Sequence, residues 1–292
     1  MSLSIVIRKI PKSVSNNTRK LKRIRHVALD LDGTIYRGTT VFKTTLPFLE
    51  LLKSLGLGYT FLTNNPSKSN ADYRAKLRRM GIPAKPDQIY TSAQATIEYL
   101  QKKWPRLKRL FVLGTPSMCG SFTAAGYALV LENPDERPDA VVVGFDTTLT
   151  YPRLCRAAWW ITRGVPYFAT NPDAVCPTDE PTVLVDCGSI TAALEKATGR
   201  APVAVLGKPD VAMLRGILQR HRLRPGQLAM VGDRTYTDME MARRAGALGV
   251  LVLTGETPAC QAVAVKPSLD MIVPSLAELG RELLLAREAR RK

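Results

Sequence analysis

Short apolar runs alternate with stretches of helical period along most of the chain. Val27-Ala28-Leu29 is an apolar run that ends at Asp30. Leu46, Leu49, Leu52 and Leu55 then recur at three-residue steps, the mark of an amphipathic helix. Gly58–Thr63 predicts the next strand, closed by Asn64-Asn65-Pro66, and Ser69–Met80 predicts a helix stopped by Gly81 and Pro83. Further on, Arg109–Leu113, Ala140–Val143 and Pro166–Ala169 predict strands, and Ser92–Lys103 and Tyr151–Arg163 predict helices. The last third repeats the theme. Leu228–Val231 and Gly249–Leu253 are apolar runs, while Pro209–His221 and Asp238–Ala245 are helical in period. Apolar strands alternating with helices imply an α/β fold, a doubly wound parallel sheet covered on both faces. No fixed-period repeat interrupts the pattern.

Composition narrows the class. With 45% hydrophobic residues among 292, the chain can bury one large core or two modest ones. No apolar run reaches about 18 residues, so no membrane span is expected. Five cysteines, odd in number and without a CxxC pair, argue against a disulfide framework and a zinc site. They read as small buried hydrophobes in a reducing, cytoplasmic setting. The formal net charge of +17 suggests acidic partners, namely phosphorylated metabolites, nucleic acid or anionic lipid. Much of that charge sits at the ends. Residues 1–29 hold eight Lys or Arg and no acid, and Arg287, Arg290, Arg291 and Lys292 close the chain. Residues 1–25 read as a solvated basic extension. Their composition also resembles an organellar transit peptide, the less favoured reading.

Four polar segments carry the candidate chemistry. The first is Asp30-Leu31-Asp32-Gly33-Thr34. Residues two apart in a strand face one side, which would bring two carboxylates to one cavity. A divalent, oxygen-liking cation relieves their repulsion. One carboxylate can then be a nucleophile and the other a general acid/base. Gly33 permits a sharp turn. The second segment, Thr63-Asn64-Asn65, offers a hydroxyl and backbone N–H groups to a phosphate oxygen. In the third, Gly207-Lys208-Pro209, the lysine precedes a helix start with Pro209 as first helical residue, and its charge suits a phosphate. The fourth, Gly232-Asp233-Arg234-Thr235-Tyr236-Thr237-Asp238, offers two more carboxylates as metal ligands or as anchors for Lys208. Its plainer reading is a helix N-cap at Thr237 or Asp238.

In this order the segments resemble the haloacid dehalogenase (HAD) superfamily phosphatases. The subfamily is IIA, that of NagD, p-nitrophenyl phosphatases and phosphoglycolate phosphatases. The likeness extends from about Val27 to about Leu285 and includes Asp32–Gly38, Asn65–Ser69, Val143–Asp146, Leu149–Tyr151, Thr170–Asp173 and Gly188–Ile190. It implies a HAD core of residues 26–82 and 183–286, with an inserted α/β cap of residues 83–182 that closes over the site. It also implies an Mg²⁺-dependent phosphomonoester hydrolase acting on a small phosphorylated metabolite through an aspartyl-phosphate. Asp30 would be the nucleophile and Asp32 the acid/base. Mg²⁺ would be held by Asp30, the Asp32 backbone carbonyl and Asp233, with Asp238 behind them. Gly33, Thr63, Asn64, Asn65 and Lys208 would take the phosphate.

The sequence departs from the family pattern in the loop Gly114–Cys119, which lacks an expected acid, and at Asp186-Cys187-Gly188. Both departures leave the natural substrate open. The rival readings are a phosphomutase or other phosphotransferase of the same superfamily, a basic nucleic-acid-binding protein and a catalytically dead binding protein. The first is disfavoured by cap type, the second by the lack of a recognition motif, and the third by the intact set of motif residues. Ala157-Ala158-Trp159-Trp160 is a candidate homodimer contact through the cap, or simply part of the cap core.

Overall fold

The computed structural model describes residues 14–131, 133, 135–176, 178, 180–265 and 269–288. In chain order the elements are α1 (Val14–Arg23), β1 (His26–Asp30), β2 (Tyr36–Arg37), β3 (Thr40–Val41), α2 (Thr45–Ser54), β4 (Gly58–Thr63), α3 (Asn70–Arg79), β5 (Ile89–Thr91), α4 (Ser92–Lys103), β6 (Arg109–Leu113), α5 (Pro116–Ala124), β7 (Ala128–Leu129), β8 (Ala140–Val143) and α6 (Tyr151–Thr162). They continue with β9 (Tyr167–Ala169), β10 (Val175–Cys176), β11 (Leu184–Val185), α7 (Cys187–Thr198), β12 (Ala204–Val205), α8 (Ala212–Arg220), β13 (Leu228–Gly232), α9 (Glu240–Ala245), β14 (Leu248–Val252), α10 (Ala259–Ala262), β15 (Met271–Val273) and α11 (Leu276–Glu288). They pack into two units. Among the described residues, one comprises those up to Leu62, Arg78–Gln88 and those from Leu214; the other comprises those of Thr63–Leu77 and Ile89–Met213.

In the first unit the sheet order is β15-β14-β13-β1-β4, and every pairing is parallel. β1 lies between β13 and β4, and all five of its residues are buried. That explains its apolar run: a parallel strand covered on both faces has no solvent side to leave polar. The α1 helix corrects the expected solvated extension over residues 14–25. Leu21 and Ile24 are each about 1% exposed and pack in the core. Lys20 pairs with Asp270 at 2.5 Å, and Arg287 of α11 donates to the Ile24 carbonyl at 2.7 Å. Two buried apolar residues among so many cations give too little contrast for a pattern to show. The cations in the last turn, Lys20, Lys22 and Arg23, suit the negative end of the helix dipole. Residues 1–13 and the terminal Arg290, Arg291 and Lys292 lie outside the described residues.

The second unit has its own parallel sheet, ordered β12-β9-β8-β6-β7. Alternation along β6 and β8 feeds two cores, as the two-residue period requires. Phe111, Leu113, Val141 and Val143 pack with Trp160 and Ile161 of α6 and Leu194 of α7. Leu110, Val112, Ala140 and Val142 pack with Leu100 of α4 and Phe122 of α5. The two adjacent tryptophans therefore separate. Trp160 is core, while Trp159 is 47% exposed beneath the Arg163 guanidinium, 4.7 Å from the ring centre.

Several local expectations change. The Gly114–Cys119 loop runs into a helix. Thr115 caps α5 by accepting from the Met118 N–H at 3.2 Å, and Pro116 occupies its first turn. Asp186 caps α7 through the Cys187 N–H, so the unexpected acid in Asp186-Cys187-Gly188 has a structural use. Of the cysteines only Cys187 is buried; Cys119 and Cys176 are half-buried, Cys155 and Cys260 are exposed, and all five are free thiols. No helix among the described residues is long and apolar enough to cross a membrane.

Candidate active site

Parallel pairing fixes the first part of the site. β1 and β13 are neighbours with Leu29 opposite Val231. Asp30 ends β1, and Asp233 follows the last residue of β13. Both acids therefore emerge at the carboxyl edge of adjacent strands, where sites of open α/β sheets form. Asp238 joins them through a π-helical turn over Thr235–Met239, in which the Met239 N–H donates to the Arg234 carbonyl at 3.2 Å. Such turns insert one extra residue and gather at functional sites. The Asp238 carboxylate accepts from the Arg234 N–H at 3.1 Å. Neither Thr237 nor Asp238 caps α9, whose N-cap is Met239 with no side-chain bond. The capping alternative is thus set aside, because the π turn carries the chain directly into the helix.

One carboxylate oxygen from each of Asp30, Asp233 and Asp238 lies within 4.8 Å of the other two. The three residues are 7%, 2% and 0% exposed. Three buried carboxylates at this spacing repel strongly, and a hard divalent cation with oxygen ligands relieves that repulsion. The donor set fits Mg²⁺. It does not suit zinc, which prefers nitrogen and sulfur.

Asp32 behaves differently. β1 stops at Asp30, so the pair does not continue as one strand. The chain instead turns over Leu31–Tyr36, with Ile35 N–H to Leu31 carbonyl at 2.9 Å and Gly33 N–H to Tyr36 carbonyl at 2.8 Å. Gly33 sits at φ +83°. Asp32 is half-buried, its carboxylate approached by the Tyr36 hydroxyl at 3.4 Å. A carboxylate in contact with solvent can exchange protons, as an acid/base must.

Asp233 is held by a segment that contributes no acid to the cluster, the loop after β14. Glu256 N–H donates to the Asp233 carboxylate at 2.6 Å, and Thr257 N–H to its backbone carbonyl at 3.3 Å. Thr254 Oγ1 donates to the Gly33 carbonyl at 2.6 Å, and Arg37 to the Thr254 carbonyl at 3.0 Å. The Glu256 carboxylate is pinned by Arg234 at 2.8 Å and the Tyr236 hydroxyl at 2.7 Å. A Cβ on Gly33 would lie 2.3 Å from Asp233 Oδ2, and one on Gly255 would lie 1.9 Å from it. Glycine is therefore required at both positions by close approach. Sequence reasoning misses Thr254-Gly255-Glu256, although the rule that flags the other segments, a polar stretch after an apolar strand, applies here too.

The remaining expected residues, apart from Gly33, belong to the second unit. Thr63, Asn64 and Lys208 are 4%, 7% and 4% exposed. Asn64 clasps the lysine's backbone from both sides. Its side-chain carbonyl accepts from the Lys208 N–H at 2.6 Å, and its amide donates to the Lys208 carbonyl at 3.0 Å. The Asn64 carbonyl in turn accepts from Ser92 and Asn171. Asn65 closes a local turn, its side chain accepting from the Ser67 N–H at 2.9 Å and the Ser67 hydroxyl at 2.6 Å. Thr63 Oγ1 accepts from the Asn65 N–H at 3.2 Å. Pro209 is not a helix start. The helix begins at Ala212, whose N–H donates to Asp210 at 2.7 Å.

Residues 27–128 match the family model of haloacid dehalogenase-like hydrolases, and residues 205–279 match a HAD-hydrolase-like model. An acid sugar phosphatase of Staphylococcus aureus is 34% identical over 235 residues, spanning 80% of this chain and 88% of that protein. The chain belongs to the haloacid dehalogenase-like hydrolases. Solved relatives place this hydrolase in the phosphatase subfamily of NagD and the p-nitrophenyl phosphatases. A 4-nitrophenylphosphatase from Thermotoga maritima superposes with a TM-score of 0.84 at 39% identity, covering 90% of this hydrolase and 98% of that chain. NagD from Escherichia coli gives 0.79 at 28% identity, with 87% and 98% covered. A glycerol phosphate phosphatase from Mycobacterium tuberculosis, solved with magnesium, gives 0.83 at 32% identity, with 91% and 80% covered.

Proposed function

We propose that this hydrolase cleaves phosphomonoesters of small metabolites, with Asp30 as nucleophile and Mg²⁺ held by Asp30, Asp233 and the Asp32 backbone carbonyl, Asp238 standing behind them. The observation that carries this reading is the buried group of Asp30, Asp233 and Asp238 at the carboxyl edge of β1 and β13. When bound, the metal supplies positive charge that offsets the carboxylates and the phosphoryl oxygens.

The chain's own residues do the rest. An Asp30 oxygen attacks phosphorus and forms the aspartyl-phosphate while the ester P–O bond breaks. Asp32 gives its proton to the departing alkoxide. It then takes a proton from water, whose oxygen attacks the same phosphorus, releasing inorganic phosphate and regenerating Asp30. Lys208, the Thr63 hydroxyl and the backbone around Gly33, Asn64 and Asn65 are assigned the phosphoryl oxygens. Residues 83–182 are assigned the part of the cap that reads the leaving group. The named substrates of the relatives, a sugar phosphate, a nitrophenyl phosphate and a glycerol phosphate, fit one class: phosphomonoesters of small hydroxyl compounds. Five free thiols suit work in the reducing cytoplasm.

The test is phosphate release from p-nitrophenyl phosphate. Activity should need added Mg²⁺ and vanish with EDTA. Asp30→Asn should fold, by circular dichroism, yet keep less than about one part in a thousand of the rate. Undiminished turnover in EDTA would remove the metal from the scheme, and an active Asp30→Asn would remove the nucleophile.

The exposed face of α6 supports a second copy as partner. Tyr151, Cys155 and Trp159 stand at i, i+4 and i+8, with Tyr151 79% and Trp159 47% exposed. Trp159→Glu should convert a dimer to a monomer by light scattering. A wild-type protein already monomeric at high concentration would rule this out.

A further inference from the structure

We infer that the first unit carries a second anion site, a cavity that takes a compact polyphosphate chain and is separate from the carboxylate cluster. The cavity, of about 580 Å³, is lined by Lys22, Arg23 and Arg25, by Gly56 and Leu57, and by Arg224, Gln227 and Arg287. Five of these are cations, and no acid lines the cavity among the described residues. The volume lies within the range of small-ligand sites.

Three neighbouring strands begin at this cavity. Arg25 immediately precedes β1, Leu57 precedes β4 and Gln227 precedes β13. The sheet ladder extends to its wall: Arg25 N–H donates to the Gln227 carbonyl at 2.8 Å, and Gly58 N–H to the Arg25 carbonyl at 3.1 Å. Arg287 is anchored from α11 by its bond to the Ile24 carbonyl. Gln227 is held by the Arg224 N–H, which donates to its side-chain carbonyl at 2.9 Å. The backbone of the wall is thus part of the folded frame, and the exposed side chains of Arg23, Arg25 and Arg224 stand on it.

A plainer account is that cations gather at helix C-termini to balance the dipole. It covers Lys22 and Arg23 at the end of α1 and Arg287 in the last turn of α11. It does not cover Arg25 and Arg224, which belong to neither helix and converge on the same space. Arg23, Arg25 and Arg224 form no ion pair among the described residues. Like charges held together in a concavity raise the energy of the folded state, and a multivalent anion lowers it. One phosphate carries too little charge to balance Arg23, Arg25 and Arg224, whereas a chain of two or three carries enough. Guanidinium groups match phosphate oxygens in geometry as well as charge.

The location decides what happens to the occupant. β1 leads from Arg25 at the cavity to Asp30 at the cluster, a run of roughly 16 Å at about 3.3 Å per residue. An anion in the cavity is therefore out of reach of the nucleophile and is bound without being hydrolysed.

The experiment is calorimetric titration of the intact protein with inorganic tripolyphosphate in metal-free buffer at about 150 mM NaCl, where weak surface attraction is screened. Saturable binding of one tripolyphosphate per chain is expected, with a rise in melting temperature. Orthophosphate should bind at least about tenfold more weakly. Arg25→Glu with Arg224→Glu should weaken binding by about tenfold per arginine, or about a hundredfold together. Turnover of p-nitrophenyl phosphate should be unchanged in that variant. A control reversal at the exposed cations Arg106 and Arg109 lowers net charge equally and should leave affinity within about twofold. If the double variant fails to fold, Arg224→Gln alone should still weaken binding about tenfold. No saturable binding at this salt, full affinity in the Arg25/Arg224 variant, or an equal loss in the Arg106/Arg109 control would each overturn the inference.

Discussion

Gly255→Ala adds one methyl group, and nothing about Gly255 in the sequence marks it as sensitive. Its backbone is not in the left-handed region, so alanine is acceptable there on conformational grounds. The obstacle is steric. The new Cβ would lie 1.9 Å from Asp233 Oδ2, 2.4 Å from its Cγ and 2.6 Å from its Cβ. Restoring ordinary contact at 3.4 Å means a relative movement of about 1.5 Å. The Asp233 carboxylate can rotate away, but it would then lose the Glu256 N–H bond at 2.6 Å. Mg²⁺ demands ligand oxygens at about 2.0–2.1 Å, with a tolerance of about 0.2 Å. A displacement several times that tolerance should cost about a hundredfold in kcat/KM and shift the Mg²⁺ activation curve to higher concentration. The assay is p-nitrophenyl phosphate turnover as a function of Mg²⁺, paired with a thermal melt. Gly120→Ala is the control. Nothing lies within 4 Å of its added Cβ, and it sits inside α5, so up to about 1 kcal/mol of stabilisation is expected. A Gly255→Ala enzyme with wild-type rate and wild-type Mg²⁺ dependence would show that the loop after β14 does not set the position of Asp233.

Two further outcomes follow from the geometry. Burial, with the neighbouring His221 ring stacked at 4.1 Å, pushes the His26 imidazole down to about 3. A base with a lowered folded-state pKa stabilises fully above its unfolded value near 6.5, and that contribution is lost as pH falls toward 3, to a total of a few kcal/mol. The chain has only two histidines, so the loss between pH 6.5 and 5 in urea melts reports on this pair. His26→Phe should flatten that slope, and an unchanged slope would assign it elsewhere. Asn64→Ala should lower stability by about 2 kcal/mol or more, since it removes both clasps on the Lys208 backbone. It should also raise KM for p-nitrophenyl phosphate, because Lys208 loses its fixed position. An unchanged KM would separate the clasp from phosphate binding.

Elements with strong local signals were legible in the sequence. Gly58–Thr63, Arg109–Leu113 and Ala140–Val143 are strands and Ser92–Lys103 is a helix, each with the expected bounds. The apolar runs of β6 and β8 are uninterrupted, and Thr91 supplies a cap that starts α4. α5 is harder to see. Gly114, Pro116 and Gly120 read as turn residues, and only Met118 and Phe122 are buried to mark a helix face. The π turn that delivers Asp238 has no local signature, because Thr235-Tyr236-Thr237 resembles a strand as much as a helix. The acids themselves were visible by type and order. The support behind them was harder to read: a polar stretch does follow β14, but its loop reaches Asp233 through backbone bonds and the close approach of Gly255, and backbone bonds have no side-chain code. The helix at the basic N-terminus escaped for a related reason, since Leu21 within it and Ile24 just after it are the only buried residues over 17–25, among many cations.

The place of β1 between β13 and β4 has a consequence for how the protein comes into being. β1 pairs with β13, His26 opposite Leu228, so its partner is made only after some two hundred further residues. The sheet of the second unit lies within Ile89–Met213 and has all its strands before β13 leaves the ribosome. Units fold as their parts become available. Translation therefore completes the inserted unit first, while β1 waits with one long edge unfilled. A ribosome stalled where Met213 has cleared the exit tunnel but Leu228 has not should present a folded second unit beside an incomplete first one, with Asp30 translated but no carboxylate cluster yet formed.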